Sequence, residues 1–77
     1  MTRLLFVHDH RFYRDDSGAV YTSGSLPAEV WDRYLAHFDV IHVVGRGSPL
    51  PPGANYAASS RLGVTFELIP GAISLQI

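Results

Sequence analysis

Apolar residues occur along this chain in three short runs and one helical stripe. The runs are residues 4–7, 40–44 and 64–69, and continuous runs of this length are typical of strands covered on both faces. Between the first two runs, apolar residues recur every four positions from Leu26 to Phe38, which predicts a helix over residues 27–38. The order strand, helix, strand, strand predicts an α/β fold, in which the helix is the crossover between two parallel strands.

The segment between the first strand and the helix carries strong turn signals. Residues 15–18 read Asp-Asp-Ser-Gly, and the flanking residues 11–13 and 19–21 predict a small hairpin excursion. Ser25 is a plausible N-cap of the helix, and Trp31 beside the apolar stripe is predicted to be half exposed.

The remaining segments carry weaker signals. Residues 56–62 fit either a short helix or irregular chain, and residues 72–77 form an apolar tail without an evident partner. A doubly wound domain is built from two halves, and only the first is evident. We therefore predict a single truncated Rossmann-like domain over residues 1–77. Its sheet would be three-stranded and mostly parallel, with one main helix and the hairpin excursion after the first strand.

Composition narrows the class of protein. The 77 residues include no cysteine, so disulfides and thiolate metal sites are excluded. The formal net charge of −1 gives no electrostatic signature of nucleic-acid binding. Neither a secretory signal nor an apolar stretch of about 18 residues is evident, so the expected location is the cytoplasm, with no transmembrane segment. Since 47% of the residues are hydrophobic in so short a chain, we expect a homo-oligomer that buries the excess.

Histidines around Asp9 follow the first apolar run. In open α/β sheets ligands bind outside the carboxyl ends of the strands, where His8, Asp9 and His10 are expected. They fit an acid–base or substrate-contacting group, or equally a hydrogen-bonded strand end. No further ligand cluster has metal-site spacing, so we predict no metal. His42 is expected to be a core histidine. The alternative is a small metal-binding module that uses His8, His10 and His42.

Two further segments are candidates for binding an anion. Gly24 and Ser25 lie in the loop that enters the helix, where free N–H groups and the helix dipole favour a phosphate, although an ordinary helix cap explains them too. Arg46 follows the second strand and would face the same crevice, or be a plain exposed loop arginine. Four aromatic residues in the predicted hairpin and helix could stack on a sugar, or could simply pack the hairpin on the helix. They are Phe12, Tyr13, Tyr21 and Trp31.

Three stretches together resemble the N-terminal domain of bacterial family 4 glycosyltransferases, retaining enzymes with two Rossmann-like domains. Residues 4–10, Leu-Leu-Phe-Val-His-Asp-His, are similar to their first strand and its exit. Residues 12–27 are similar to their long loop and glycine-rich helix entry. Residues 29–46 are similar to their first helix and second strand. The likeness covers roughly residues 3–70, and its specificity comes from the order and spacing of the three stretches.

The resemblance implies a sugar-transferring parent enzyme. By that analogy Gly24 and Ser25 line the cleft between domains, near the donor diphosphate and the acceptor, with Asp9, His10 and Arg11 beside it. Nucleotide-sugar and acceptor would bind only in a full-length parent, because the family's donor domain and its paired-glutamate motif are missing. No catalytic residue and no cofactor is predicted, and the fragment is expected to be inactive alone. The alternative is a small non-enzymatic α/β protein that self-associates.

Overall fold

One mixed sheet and one helix make up the fold of the described residues. The computed structural model describes residues 1–70. Its elements are β1 (Arg3–Arg14), β2 (Val20–Thr22), α1 (Ala28–Leu35), β3 (Val40–Pro49), β4 (Ala57–Ala58) and β5 (Val64–Pro70). The sheet order is β4-β2-β1-β3-β5, in which β1, β3 and β5 are parallel and β2 and β4 are antiparallel to their neighbours. The predicted α/β class is confirmed, whereas the predicted three-stranded sheet is too small by two strands. The tail over residues 72–77 lies outside the described residues.

The extra strands come from segments that were expected to leave the sheet. β1 continues through Arg14, because after an irregular stretch it pairs with β3 again and then with β2 in the predicted hairpin. The hairpin turn is closed by Asp15, whose Oδ1 accepts bonds from the amides of Ser17 and Ala19. The segment expected to be a short helix or irregular contains β4, which pairs with β2.

The helix is shorter than the apolar stripe predicted. α1 ends at Leu35, since the amides of His37 and Phe38 both donate to the carbonyl of Tyr34 in a closing turn. Its N-cap is Pro27 rather than Ser25, and no side chain caps it. No helix among residues 1–70 is long and apolar enough to cross a membrane.

α1 covers one face of the sheet and leaves the other uncovered. The buried core consists of Phe12, Val20, Trp31, Ile41 and Val43. Trp31 is fully buried, not half exposed, because its ring packs edge-on against Phe6 at 5.3 Å between centroids. The expectation that the strands are buried on both faces is therefore wrong for the described residues.

The uncovered side, here the open face, carries the alternate residues of the parallel strands. Strand register aligns Leu5 with His42 and Thr65, and Val7 with Val44 and Glu67. Leu5 is 62% exposed and Val7 40%. His42, expected in the core, lies here half exposed, with Nδ1 2.7 Å from the Thr65 hydroxyl and Nε2 3.7 Å from Glu67 Oε1.

A bulge interrupts β1 halfway along. Val7 pairs with Val44 and Arg11 with Arg46, so three residues of β1 oppose the single residue Gly45. A Cβ at position 45 would lie 2.9 Å from the Phe12 ring and 3.1 Å from the His10 carbonyl oxygen. Glycine at this position therefore lets the bulge lie against β3 while Phe12 stays in the core.

Replacing Gly45 by alanine should destabilise the fold by about 1–3 kcal/mol, because a buried ring or the bulge must shift to admit the methyl group. The measurement is the free energy of urea unfolding. Gly24→Ala is the matched control, since a Cβ there meets nothing within 4 Å, and it should change stability by less than about 0.5 kcal/mol. Equal effects of both substitutions would contradict the steric argument.

Candidate functional site

The bulge in β1 presents His8, Asp9 and His10 beside the carboxyl half of β3. Side chains alternate between the two faces of a strand, so Asp9 lies on the open face while His8 and His10 lie on the side covered by α1. The ring stacking agrees, since His8 stacks on Phe6 at 6.0 Å and His10 lies edge-on to Phe12 at 4.8 Å. One short segment thus supplies polar groups to both faces.

On the open face Asp9 forms an ion pair with Arg46. The guanidinium meets the carboxylate through two atoms, with Nε donating to Oδ1 and Nη2 lying 3.4 Å from Oδ2. Arg46 is only 22% exposed and belongs to β3 rather than to a loop after it, while Asp9 is 57% exposed. The pair is formally neutral, so Arg46 offers a bound anion its remaining N–H groups but little net charge. Arg11 lies beside Arg46 in register and adds an exposed cation.

On the covered face His10 anchors the loop that leads into the helix. Its Nε2 lies 2.8 Å from the hydroxyl oxygen of Thr22, which is buried. The Thr22 hydroxyl donates to the carbonyl of Ser25 at 2.6 Å and accepts the amide of Gly24 at 3.3 Å. The loop's shape is therefore set by one buried hydroxyl that His10 contacts.

These bonds assign the protonation of His10. Because the single Thr22 hydroxyl proton is directed at Ser25, the oxygen can only accept from His10, so Nε2 carries the proton. Partial burial lowers the pKa of His10 from its ordinary value of 6.5, and the nearby His8 lowers it further. The imidazole is thus neutral at pH 7, and its Nδ1 makes no hydrogen bond to any of the described residues. Such a nitrogen can accept a proton or a hydrogen bond from a ligand.

The six predicted site residues therefore fall into two groups on opposite faces of the sheet. His10, Gly24 and Ser25 are brought together through Thr22 on the covered side. Asp9, Arg11 and Arg46 are brought together on the open face. The structure thus presents two small polar clusters back to back at the carboxyl half of β1, rather than one cluster of six residues.

Two of the aromatic residues considered for sugar stacking are not accessible. Phe12 and Trp31 are both fully buried. Tyr13 packs against Tyr56 at 4.9 Å between ring centroids, and the Tyr21 hydroxyl donates to Asp15. Burial thus excludes two of the four residues from sugar stacking, whereas Tyr13 and Tyr21 remain partly exposed, as does Tyr56.

A cavity of about 400 Å³ lies at the carboxyl ends of the three parallel strands. Its wall is largely apolar, with Arg14, Asp15 and Ser48 as polar groups, and the full lining is Arg14, Asp15, Gly47, Ser48, Pro49, Leu68 and Pro70. None of the six predicted site residues lines it. Within residues 1–70 no group of three or more histidine, aspartate or glutamate side chains is arranged to hold a metal ion.

Sequence reasoning missed the two buried hydroxyls on which this region depends. Thr22 shapes the loop before the helix, and Ser59 bonds the indole of Trp31. A single threonine in a polar segment and a serine beside another serine follow no recognisable motif. A buried tryptophan N–H needs a hydrogen-bond acceptor, and this need could have pointed to a residue such as Ser59. The burial of Trp31 would have had to be known first.

Comparison with protein-family models gives no match, and neither does comparison with curated proteins or with solved structures. The likeness to glycosyltransferases described above therefore remains a prediction from the sequence.

The lowered pKa of His10 makes a testable contribution to stability. Between the folded pKa and the unfolded value of 6.5 the unfolded chain binds more protons, so this contribution is present above 6.5 and is lost as the pH falls. The free energy of urea unfolding should therefore decline from about pH 7.5 to about pH 5.5, and His10→Gln should flatten the decline. His37→Gln removes a histidine at an exposed position away from Thr22 and is the variant for comparison. An unaltered slope in the His10 variant would contradict the assignment.

Proposed function

We propose that this chain is the N-terminal part of a glycosyltransferase, which moves a sugar from a nucleotide-sugar donor to an acceptor. The observation that carries the proposal is the strand order β5-β3-β1, all parallel. It is the order of the first half of a doubly wound nucleotide-binding fold. The resemblance in sequence covers the same strands and the helix between them.

The placement of polar groups supports the same proposal. In open α/β sheets ligands bind outside the carboxyl ends of the parallel strands, and here those ends carry the cavity, the loop with Gly24, and Arg46. In this proposal the free N–H groups of Arg46 approach the donor diphosphate on the open face, while the loop with Gly24 and Ser25 approaches the acceptor on the covered face. The neutral His10 imidazole holds the loop and keeps one nitrogen available to a hydroxyl group.

The isolated chain should show no glycosyl transfer, because donor and acceptor must be held together and one wall of a cleft cannot do so. Weak binding should still be measurable. Titration of the isotope-labelled chain with uridine and guanosine diphosphate sugars should shift the amides of Arg46 and Gly47, as recorded by two-dimensional NMR, without turnover.

Charge variants make this experiment more specific. Arg46→Met should weaken binding severalfold, and Asp9→Asn should strengthen it, because it removes the carboxylate that now neutralises the guanidinium. Arg33→Met, on the exposed side of α1, is the matched control. Turnover by the pure chain would refute the inactive-fragment proposal, and the absence of shifts at these amides at millimolar ligand would refute the transferase proposal.

The open face favours a second candidate, a small non-enzymatic α/β protein that self-associates. Leu5 is 62% and Val7 40% exposed, side by side with Val44 on the uncovered side of the sheet. Apolar surface of this kind is a frequent site of association.

Sedimentation at low micromolar concentration, with and without residues 72–77, tests this candidate. We expect a dimer or larger species in both cases. A folded monomer in both cases would show that the chain does not associate.

A further inference from the structure

Among the described strands β5 lies at an outer edge of the sheet, and its outward groups can be identified. The amide of Ile41 on β3 donates to the carbonyl of Gly63 at 2.9 Å, and Ile41 is aligned with Val64. In a parallel ladder a residue bonds to the two neighbours of its aligned partner. The amides of Thr65, Glu67 and Ile69 therefore face β3, and those of the intervening residues face outward.

Two amides are left without a partner at this edge of the described chain. The Val64 amide donates to the carbonyl of Arg61 at 3.0 Å within the preceding turn. The amides of Phe66 and Leu68 then remain, together with the outward carbonyls. β5 shows neither a bulge in its register nor a proline before Pro70, two common means of protecting an edge strand.

We propose that this edge pairs with the β5 strand of a second copy of the chain, antiparallel, about a two-fold axis at Phe66. Phe66 would bond to the partner's Phe66 in both directions, and each Leu68 amide would donate to the partner's Val64 carbonyl. Both free amides of each copy are then satisfied. The inference deepens the self-association candidate and rests on it, not on the transferase proposal.

The charge of Glu67 favours a two-fold axis at Phe66 and a second copy of the chain as the partner of the β5 edge. A two-fold at Glu67 would also satisfy both amides, but it sets Glu67 directly opposite the partner's Glu67, and like charges there are destabilising. With the axis at Phe66, Glu67 lies opposite the partner's Thr65, which is uncharged. The edge is thus self-complementary in hydrogen bonds and in charge, as a two-fold interface requires.

Apolar packing acts in the same direction. On the covered side Val64, Phe66 and Leu68 are only partly buried and pack at the margin of the core. The proposed pairing sets Phe66 beside the partner's Phe66, and Val64 beside the partner's Leu68. It removes this margin from water in both copies.

Substitution of Thr65 tests the pairing. Thr65→Glu sets like charges opposite each other twice per dimer and should weaken association roughly tenfold in sedimentation equilibrium. Thr65→Lys is the matched control: it loses the same bond to His42 but faces Glu67 with the opposite charge, so association should hold or tighten. The double variant Thr65→Glu, Glu67→Lys should restore association. Circular dichroism verifies that each variant is folded.

Cross-linking tests the register. The chain has no cysteine, so Thr65→Cys with Glu67→Cys introduces a non-hydrogen-bonded cross-strand pair whose Cα atoms, about 4.5 Å apart, are within disulfide range. This double variant should give a covalent dimer on mild oxidation, whereas Glu67→Cys alone should not.

Four results would overturn the proposal. A monomeric parent chain would refute self-association altogether. Equal association of the Thr65→Glu and Thr65→Lys variants would show that the copies associate through another surface, as would loss of association on removing residues 72–77 alone. A covalent dimer from Glu67→Cys alone would show that the two-fold axis lies at Glu67 and not at Phe66.

Discussion

The hydrogen bonds of Ser59 hold the covered side of this fold together. The Trp31 indole donates to the Ser59 carbonyl at 3.0 Å and to its hydroxyl at 3.2 Å. The hydroxyl donates to the carbonyl of Leu26 at 2.8 Å, and the Ser59 amide donates to the carbonyl of Val20. One residue next to β4 therefore ties the helix, the helix entry and β2 into a single unit. Because the groups are buried, losing one leaves an unsatisfied partner at a cost of about 1–3 kcal/mol.

The sequence predicted the parts of the fold that depend on local pattern. The apolar runs marked the parallel strands, and the residues around Asp15 marked the hairpin turn. The errors arose where distant residues decide the outcome. β1 can continue past its bulge because Gly45 has no side chain to clash with Phe12. The buried indole of Trp31 bonds to Ser59, which is 28 residues away.

The candidate site was predicted in part for the same reason. Asp9 and Arg46 were each proposed from their position after an apolar run, yet nothing in the sequence indicated that they form a pair. His10 was proposed together with them, but strand alternation places it on the opposite face from Asp9. The bulge sets which residues of β3 each group meets, and that register is not visible in the sequence.

The parallel core has a consequence for how the chain folds. Arg3 lies beside Val40, and Ile41 beside Val64, so neither pairing can form before a long stretch of chain is available. α1, with eight residues, is well short of the roughly 12–15 that an isolated helix needs. The β1–β2 hairpin is local, but an isolated two-stranded hairpin is marginally stable at best, so we expect no local unit of residues 1–70 to be stable alone. We therefore expect residues 4–7 to stay unpaired during synthesis until β3 emerges, and the closing of long loops to limit the rate of folding.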